Sequence, residues 1–556
     1  MKKILFLLLI WSGSVFSQAG YICFDHPVYD FLERMNVLHI IQDYDSAELP
    51  KSRKEIAGFL GTIKDNKNLL NQVDKDLLAD FLSEFEYDVE KTTTGYQSFY
   101  PDFNLENLIS GKEKFLYYYT DTNKVAFFAN LQVDIENLFA NNRATNKNTN
   151  AMLYSYHGIL TGSFFDNYGF YFKTGFGAFS GDKSLALTKN NLRYNYKFNL
   201  ETPGSVGGEL YDETEGFLCA DFEFIKFKIG RDRKTLGYGR EKYLLSNEMP
   251  AMDYLSLNIN YSIFSFSYLH GKLLGNISVI SDSLQGEMNT VSDKFYVYHR
   301  FGFNFSKHFS LGAGEALIYS RRGLDLSYLN PFNYFKSVEH ANQDRDNSLL
   351  FIDASNNSLP GLKLHAAVLI DDLDFGKIGN GWYGNQTLWS FGLYSSNLYQ
   401  VFPVDISLQY LRIEPYFYTH RILENNFTSE GAPVATSIPP NSQCISATVY
   451  LQPFYRLRFG LSFRYAIHGA NEVDEEGNII RNHGGDISVG YRLNDPEQIK
   501  FMDGDKEYLR SLNFRIQYEP LNNYNVIFNL MYNNDHLHKS KRNEMIYSSL
   551  LLRIII

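Results

Sequence analysis

The stretch GKIGNGWYGNQT, residues 376–387, combines aromatic rings, amides and glycines in a way that suits contact with sugars. The rings of Trp382 and Tyr383 can stack on the C–H faces of a sugar, and the Asn385 amide can bond its hydroxyl groups. We therefore predict a carbohydrate contact at these three residues. The alternative is that Trp382 and Tyr383 belong to the aromatic girdle at which a membrane barrel meets the lipid headgroups.

A second stretch, YRLRFGLSFRYAI at 455–467, places Arg456, Arg458 and Arg464 on the polar side of an alternating pattern. Apolar residues at every second position lie on one face of a strand, and the residues between them lie on the other. This segment is therefore predicted to be a strand between an apolar environment and an aqueous one. Guanidinium groups bind carboxylates at two points, and such a wall would attract an anionic sugar polymer. The alternative is structural, with each arginine paired to an acidic side chain of a neighbouring strand.

The familiar catalytic motifs are missing from the sequence. It contains no G-x-S-x-G elbow, no H-E-x-x-H zinc helix and no G-x-x-x-x-G-K-[ST] phosphate loop. His536 and His538 could bind a metal, and the acidic run NEVDEEGN at 471–478 could bind calcium, but solvated loops explain both segments better. We therefore predict a protein that is not an enzyme, with no catalytic residue, no metal and no cofactor.

The N-terminus has the pattern of an export signal. Two lysines precede the apolar run 4–11, and residues at positions 15 and 17 suit cleavage before Gln18. We predict a signal peptide at 1–17. Beyond it, no stretch approaches the roughly 18 to 20 apolar residues that a spanning helix requires, so a membrane location would require a β-barrel.

Residues 18–95 are predicted to form a periplasmic helical region, followed by a linker at 96–120 and a barrel at 121–556. Apolar residues recur at helical spacing in three places before residue 90, which predicts three helices. The second helix has a start signal, because Ser52 can accept a hydrogen bond from the Glu55 N–H while the Glu55 carboxylate reaches back.

From about residue 115 the apolar period changes to two, and short turns alternate with long polar connections. Turns are expected at 452–454, 306–308 and 519–523. Long connections are expected at 138–150, 179–215, 232–252, 274–292, 321–346, 372–386 and 416–442. This alternation is typical of a transmembrane antiparallel β-barrel with its short turns on the periplasmic side.

The number of strands is predicted to be about 18, because a bacterial barrel with both ends in the periplasm needs an even number. The weakest strand candidate, DISVGYRL at 486–493, is assigned to an extracellular hairpin or a lumen insertion. Aromatic residues make up 16% of the chain, more than a soluble core requires, so a β-sandwich or propeller is the weaker alternative. The net charge of −11 without charged blocks argues against a nucleic-acid partner.

Several blocks of the sequence, in order, resemble the Wzi-like capsule assembly proteins. The N-terminal blocks are HPVYDFLERMNVLHII and LPKSRKEIAGFL. The barrel blocks are FKIGRDRKTLGYGREKYLLSNEMPAMDYLSL, GEALIYSRRGLDLSYLNPFNYF, DNSLLFIDAS and HAAVLIDDLDF. The resemblance covers nearly the whole mature chain. It implies an outer-membrane barrel of 18 strands with a periplasmic helical bundle, acting as a lectin that holds capsular polysaccharide and has no catalytic residues.

These observations favour a non-catalytic protein that attaches capsular or another surface polysaccharide to the outer membrane of a Gram-negative cell envelope. Many weak contacts, repeated along a polymer, would add up to avidity. Its expected partners are the polysaccharide, outer-membrane lipid and the barrel insertion machinery.

Two alternatives come from other classes of protein. The first is a porin-like channel for sugars or oligosaccharides, whose lumen the helical region and the 321–346 insertion with Pro331 could plug. The second is a barrel hydrolase or lipase, which would need a nucleophile, a base and an orienting group brought together by the fold.

Overall fold

The computed structural model describes residues 19–556 except 102–103, 122–123, 191, 193–208, 283–285, 397–402 and 538–540. The predicted signal peptide at 1–17 lies outside the described residues. Within the described part of the chain, the helices are too short or too polar to cross a membrane.

The described residues form a closed antiparallel barrel of 18 strands. The strands are β1 (Val125–Asn142), β2 (Lys147–Phe164), β3 (Tyr168–Gly181), β4 (Glu209–Asp221), β5 (Ile225–Asp232), β6 (Met252–Tyr261), β7 (Phe264–Asp282), β8 (Gly286–Ser306), β9 (Phe309–Ser320), β10 (Asn347–Leu359), β11 (Leu362–Asp372), β12 (Gln386–Ser396), β13 (Val404–Ile413), β14 (Ser442–Phe454), β15 (Leu457–Ala470), β16 (Asp505–Leu521), β17 (Tyr524–Leu537) and β18 (Lys541–Ile555).

Strand β18 closes the barrel by pairing with β1, from Ile555 opposite Gln132 to Met545 opposite Asn142. A short strand, Tyr117–Asp121, pairs with the first residues of β1, which extend beyond β18. The predicted fold class, an antiparallel barrel of about 18 strands, is confirmed. Residues 486–493 form no barrel strand, as expected.

The connections define two different ends of the barrel. At the short-turn end, β6–β7, β8–β9, β10–β11, β14–β15 and β16–β17 are each joined by two residues. At the long-loop end, the connections include 233–251, 321–346, 373–385, 414–441 and 471–504.

Two predicted long connections, 138–150 and 274–292, are largely strand, so these predictions were wrong. Strand β1 continues to Asn142 and β7 continues to Asp282. Polar side chains stop the apolar alternation there but not the backbone ladder. The Ser278 and Thr290 hydroxyls, for example, lie 2.8 Å apart across β7 and β8.

The barrel wall alternates between an apolar outer face and a largely polar inner face. On β15, Leu461 and Phe463 point outward and are exposed, whereas Arg458 and Arg464 point inward to ion-pair partners. Period-two alternation therefore places the arginines inside the barrel, as the sequence indicated.

The N-terminal region contains helices α1 (Val28–Val37), α2 (Arg53–Asp65), α3 (Gln72–Glu84) and α4 (Glu86–Glu90). Three were predicted, and α4 directly follows α3. The Ser52 hydroxyl accepts from the Glu55 N–H at 3.3 Å, as predicted, but the Glu55 carboxylate pairs with Lys226 of β5 at 2.6 Å instead of reaching back. Only the Ser52 half of the capping box therefore forms, because the Glu55 carboxylate binds a lysine of the barrel wall.

The helical region covers the short-turn end of the barrel. Arg34 of α1 lies 3.0 Å from Asp405 at the start of β13, and both side chains are buried. His39, just after α1, stacks on His308 in the β8–β9 turn with ring centroids 4.1 Å apart. The described helices therefore contact the barrel directly.

The connection 321–346, here called the outer flap, lies on the outside of the barrel. Its buried Tyr328 and Phe335 pack on outward-facing residues of β7–β9, namely Phe266, Tyr268, Phe295, Val297, Leu317 and Tyr319. The expectation that this segment plugs the lumen is therefore wrong. The physical reason is that Glu315 points outward and accepts hydrogen bonds from the flap N–H groups of Phe335 (2.7 Å) and Lys336 (2.9 Å).

Candidate carbohydrate site and lumen plug

An aromatic group stands at the long-loop end, in the connection before β12. Tyr383 stacks on Tyr491 with ring centroids 3.6 Å apart and an interplanar angle of 7°, and Tyr416 meets Tyr383 edge-on at 6.1 Å. Trp382 lies beside Tyr383, and the Lys377 ammonium sits 3.8 Å from the centre of a Trp382 ring. Three separate connections therefore bring their aromatic residues to one place.

Backbone contacts fix this group. The Tyr383 N–H donates to the Glu497 carbonyl at 3.0 Å, and the Ile499 N–H donates to the Gly381 carbonyl at 2.7 Å. A Cβ on Gly384 would lie 2.5 Å from the Trp382 ring, so only glycine fits there without movement. Glycine is favoured at position 384 because the backbone there passes close to the Trp382 indole.

Asn385 belongs to the same connection but helps to hold it. Its side-chain oxygen accepts from the Asp374 N–H at 2.7 Å, across the base of the loop. Trp382, Tyr383 and Asn385 are therefore close together, with the two rings best placed to meet a ligand.

The sequence reasoning missed Tyr491 and Tyr416. Both lie in long connections, and Tyr491 falls in the 486–493 segment, which was assigned to an extracellular hairpin or a lumen insertion without a binding role. The available signal was the presence of aromatic residues in otherwise polar loops.

The three predicted arginines do not join the aromatic group. Arg464 makes two hydrogen bonds of 2.9 Å to the Glu241 carboxylate, and Arg458 lies 2.7 Å from Asp30. Asp30 belongs to α1, and Glu241 belongs to the connection 233–251, here called the inner loop. Acidic partners were expected from neighbouring strands, but they come from these two elements inside the barrel.

Arg456 lies at the short-turn end, in the two-residue turn between β14 and β15. It donates to the Glu519 carbonyl at 3.1 Å and to the Asn522 side-chain oxygen at 2.6 Å. These bonds join two neighbouring turns. The six predicted site residues therefore occupy three different places in the barrel.

The inner loop folds into the lumen. Its Tyr243 and Leu244 are buried with inward-facing residues of β8 and β13, including Tyr296 and Leu411. Connection 414–441 joins the same core through Phe417, Tyr418, Phe427 and Val434. The described lumen is thus packed with side chains along one side.

Ion pairs tie α1 and the inner loop to the wall. Asp30 lies 2.7 Å from Arg240 of the inner loop and 2.7 Å from Arg458 of β15. Burial alone would raise the pKa of Asp30, but the two guanidinium groups outweigh it and hold that pKa well below its ordinary value. Asp30 is therefore a carboxylate that bridges three elements. We call α1 and the inner loop together the lumen plug.

A polar cavity of about 570 Å³ remains beside the lumen plug. It is lined by both acids and bases of the inner wall, among them Asp134, His157, Glu213, Arg515 and Arg553. Several of these groups pair with one another, as Arg553 does with Asp134 at 2.8 Å. The cavity therefore offers polar contacts of both signs.

The predicted metal candidates are placed as follows. His536 lies in strand β17, while His538 lies outside the described residues. In the 471–478 segment, Asp474 accepts from the Asn478 N–H at 2.7 Å within a tight turn. Among the described residues there is no group of three or more His, Cys, Asp or Glu side chains arranged to hold a metal ion.

Together these features define a closed antiparallel barrel with an N-terminal helical region at one end, a partly filled lumen and an aromatic group at the other end. No protein-family model matches the sequence, and no curated protein is similar to it in sequence. Comparison with solved structures is more informative.

The structure of Wzi from Escherichia coli, described as an outer-membrane protein involved in group 1 capsule assembly and a carbohydrate-binding β-barrel, is similar to this chain. The TM-score is 0.59 at 12% identity, and the alignment covers 96% of this chain and 99% of Wzi. The predicted resemblance to the Wzi-like family is confirmed at the level of the fold, which is what a likeness at this identity establishes.

Two porins align over 77% of this chain. OprD from Pseudomonas aeruginosa gives a TM-score of 0.41 at 8% identity, with 95% of its own chain covered. A BenF-like porin from Pseudomonas fluorescens gives 0.44 at 9% identity, with 98% covered. These scores are too low to support an argument about this protein.

Proposed function

We propose that this protein is a non-catalytic outer-membrane lectin that attaches capsular or another surface polysaccharide to the cell surface. In this arrangement the helical region faces the periplasm and the long-loop end faces outward. The observation that carries the proposal is the fixed aromatic group of Trp382, Tyr383 and Tyr491 at the long-loop end. These rings are partly exposed, and aromatic faces and edges suit the C–H surfaces of sugars.

The Wzi structure supports the same proposal, because a carbohydrate-binding barrel has this fold. The binding mode would use rings for stacking and nearby amides and charges for hydroxyl groups. Each contact is weak, and a polymer that repeats its sugars along the surface would be held by avidity. The lipid bilayer and the barrel insertion machinery are the further partners that an outer-membrane barrel needs.

A binding experiment tests the proposal. The mature protein in lipid nanodiscs would be titrated with the surface polysaccharide of its own cell, alongside the variants Trp382→Ala and Tyr383→Ala. Trp389→Ala serves as the matched control, because Trp389 is an exposed tryptophan on the outer wall of β12. We expect weaker binding for the first two variants only. Equal binding by all four proteins would contradict the proposed site.

Retention of polysaccharide tests the biological role separately. Cells lacking the protein should shed polysaccharide into the medium, and wild-type protein should restore retention. Complementation with Trp382→Ala should restore less than complementation with Trp389→Ala. Unchanged retention without the protein would contradict the proposal.

A sugar channel is the second candidate, favoured by the polar cavity of about 570 Å³ beside the lumen plug. The packed side of the lumen opposes it, since α1 and the inner loop are joined to the wall by the ion pairs of Asp30. Single-channel recording separates the two candidates. A large steady conductance would support the channel, and a closed barrel would support the lectin.

A further inference from the structure

An apolar groove runs along the outer wall beside the outer flap. Its volume is about 520 Å³, within the range of roughly 300–1,000 Å³ that is usual for small-molecule sites. Leu329 and Pro331 of the flap form one side. Outward-facing residues of β4–β6 form the other, including Leu218, Phe227, Ile229, Leu255 and Leu257. The flap therefore turns an otherwise open apolar wall into a groove.

The flap is built to withstand a hydrocarbon environment. Non-helical backbone is tolerated at membrane depth only where its polar groups are bonded within the protein. The Tyr268 hydroxyl of the wall donates to the Tyr328 carbonyl at 2.7 Å, and His299 Nδ1 lies 3.0 Å from the Pro331 carbonyl oxygen. Within the flap, the Asn333 amide donates to the Ser327 carbonyl at 2.7 Å.

A buried polar contact beneath the flap and an ion pair between its two ends support its position. His299 Nε2 lies 2.9 Å from Glu315 Oε2, and both outward-facing side chains are buried beneath the flap. Arg322 donates two hydrogen bonds to the Asp346 carboxylate, at 2.7 and 2.6 Å, and so joins the two ends of the flap. The groove is therefore preformed.

The middle of the flap exposes large apolar side chains. Leu324, Leu326, Phe332 and Tyr334 are exposed there, whereas the exposed charged side chains of the flap, Arg321, Asp344 and Arg345, lie at its two ends. The apolar side chains are suited to contact with acyl chains, so the groove beside them opens into the same lipid layer.

A row of alternating charge lies above the groove, toward the long-loop end. Arg231, Asp253 and Lys272 are cross-strand neighbours on β5, β6 and β7. Arg231 lies 3.0 Å from Asp253, and Lys272 lies 3.2 Å from Asp293 of β8. Ile229 and Leu255, which line the groove, are each two residues closer to the short-turn end than Arg231 and Asp253. Two residues of a strand span roughly 7 Å.

We propose that the groove binds one acyl chain of a phospholipid with a zwitterionic phosphoethanolamine headgroup. The phosphate would lie beside Arg231 and Lys272, and the ammonium group beside Asp253 and Asp293. This alternation of two cations and two anions complements a zwitterion better than a purely anionic headgroup. The flap and the wall together thus form a lipid site that is separate from the aromatic group.

Native mass spectrometry of the detergent-purified protein tests this proposal. After exchange into lipid-free detergent, the protein would be titrated with phosphatidylethanolamine, phosphatidylglycerol or diacylglycerol of identical acyl chains. We expect one phosphatidylethanolamine per barrel, bound about tenfold more tightly than the other two lipids. Equal retention of all three lipids, or of none, would overturn the proposal.

Variants locate the site. Leu257→Trp fills the groove from β6 and should lower phosphatidylethanolamine affinity by about tenfold or more, because an acyl chain loses several buried methylene groups. Leu364→Trp is the matched control, an outward-facing and exposed leucine on β11. Circular dichroism of both variants checks that the barrel is folded. Loss of affinity in both, or in neither, would overturn the assignment to this groove, and polysaccharide binding should be unchanged in both.

Discussion

Arg464 on the inner wall and Glu241 of the inner loop form a two-point contact, with both hydrogen bonds 2.9 Å long. Arg464 was predicted as a ligand for anionic sugars. The structure instead shows its guanidinium engaged by a carboxylate of the same chain. The sequence correctly placed this arginine on the inner face, while its partner comes from a residue 223 positions away.

Replacing Glu241 by glutamine should destabilise the lumen plug. Removing one member of a charged hydrogen-bonded pair costs about 1.5–3 kcal/mol in a partly buried setting. Urea unfolding of the purified protein would measure this loss. Glu90→Gln is the control, because Glu90 and its partner Lys64 are both about half exposed and exposed pairs contribute only about 0–1 kcal/mol. Equal effects of the two substitutions would contradict the structural role of Glu241.

The contact between α2 and the barrel should stabilise the protein less at acid pH. Burial raises the pKa of Glu55, but Lys226 and Lys51 outweigh it and lower that pKa from 4.5 to about 2. A lowered pKa means that this stabilisation is fully present above pH 4.5 and is lost as the pH falls toward 2. Wild type should therefore exceed Glu55→Gln in stability at pH 7 and lose most of that advantage at pH 2. A constant difference across this range would refute the assignment.

Tyr491 should matter for glycan binding although the sequence did not indicate it. Its stacking on Tyr383 fixes that partly exposed ring, and an aromatic pair contributes about 0.5–1.5 kcal/mol. Tyr491→Ala should weaken polysaccharide binding in nanodiscs as Tyr383→Ala does, and the double variant should be little worse than either single one. Fully additive losses would show that the two rings act independently.

Gly384→Ala should weaken glycan binding without unfolding the barrel. The added methyl group would lie 2.5 Å from the Trp382 ring and would displace the indole. Titration with polysaccharide and circular dichroism would separate the two effects. Gly286→Ala is unsuitable as a control because its φ is +80°, whereas Gly158→Ala meets open space and should bind normally.

The outer flap should detach when Glu315 is replaced by alanine. This carboxylate accepts from two flap N–H groups and pairs with His299, so its loss leaves buried groups without partners. Each buried polar group left unsatisfied in this way costs about 1–3 kcal/mol. In Glu315→Ala, the rate of amide hydrogen exchange across 326–341 should rise sharply. In Glu315→Gln, which keeps an acceptor oxygen, the rate should rise less. An unchanged exchange rate in the alanine variant would show that Glu315 does not hold the outer flap on the barrel wall.

Much of the fold could be predicted because its signals are local. Apolar spacing along α1, α2 and α3 and period-two alternation along strands such as β15 report which face of each element is buried. The short turns predicted at 306–308 and 519–523 contain the observed ones, whereas the turn predicted at 452–454 was wrong, because β14 continues to Phe454 and the chain turns at 455–456. The strand extents at 138–150 and 274–292 did not, because a backbone ladder can continue where the apolar pattern stops.

The sequence by itself determined the barrel, its helical N-terminal region and the direction in which each strand side chain points, since all of these depend on short-range periodicity. Only the tertiary structure decided that Arg458 meets Asp30, that Tyr491 reaches Tyr383, and that the 321–346 connection covers the outer wall. Each of these contacts joins residues far apart in the chain. Their pairing depends on how the barrel closes and where the long connections fold, and no local pattern encodes that.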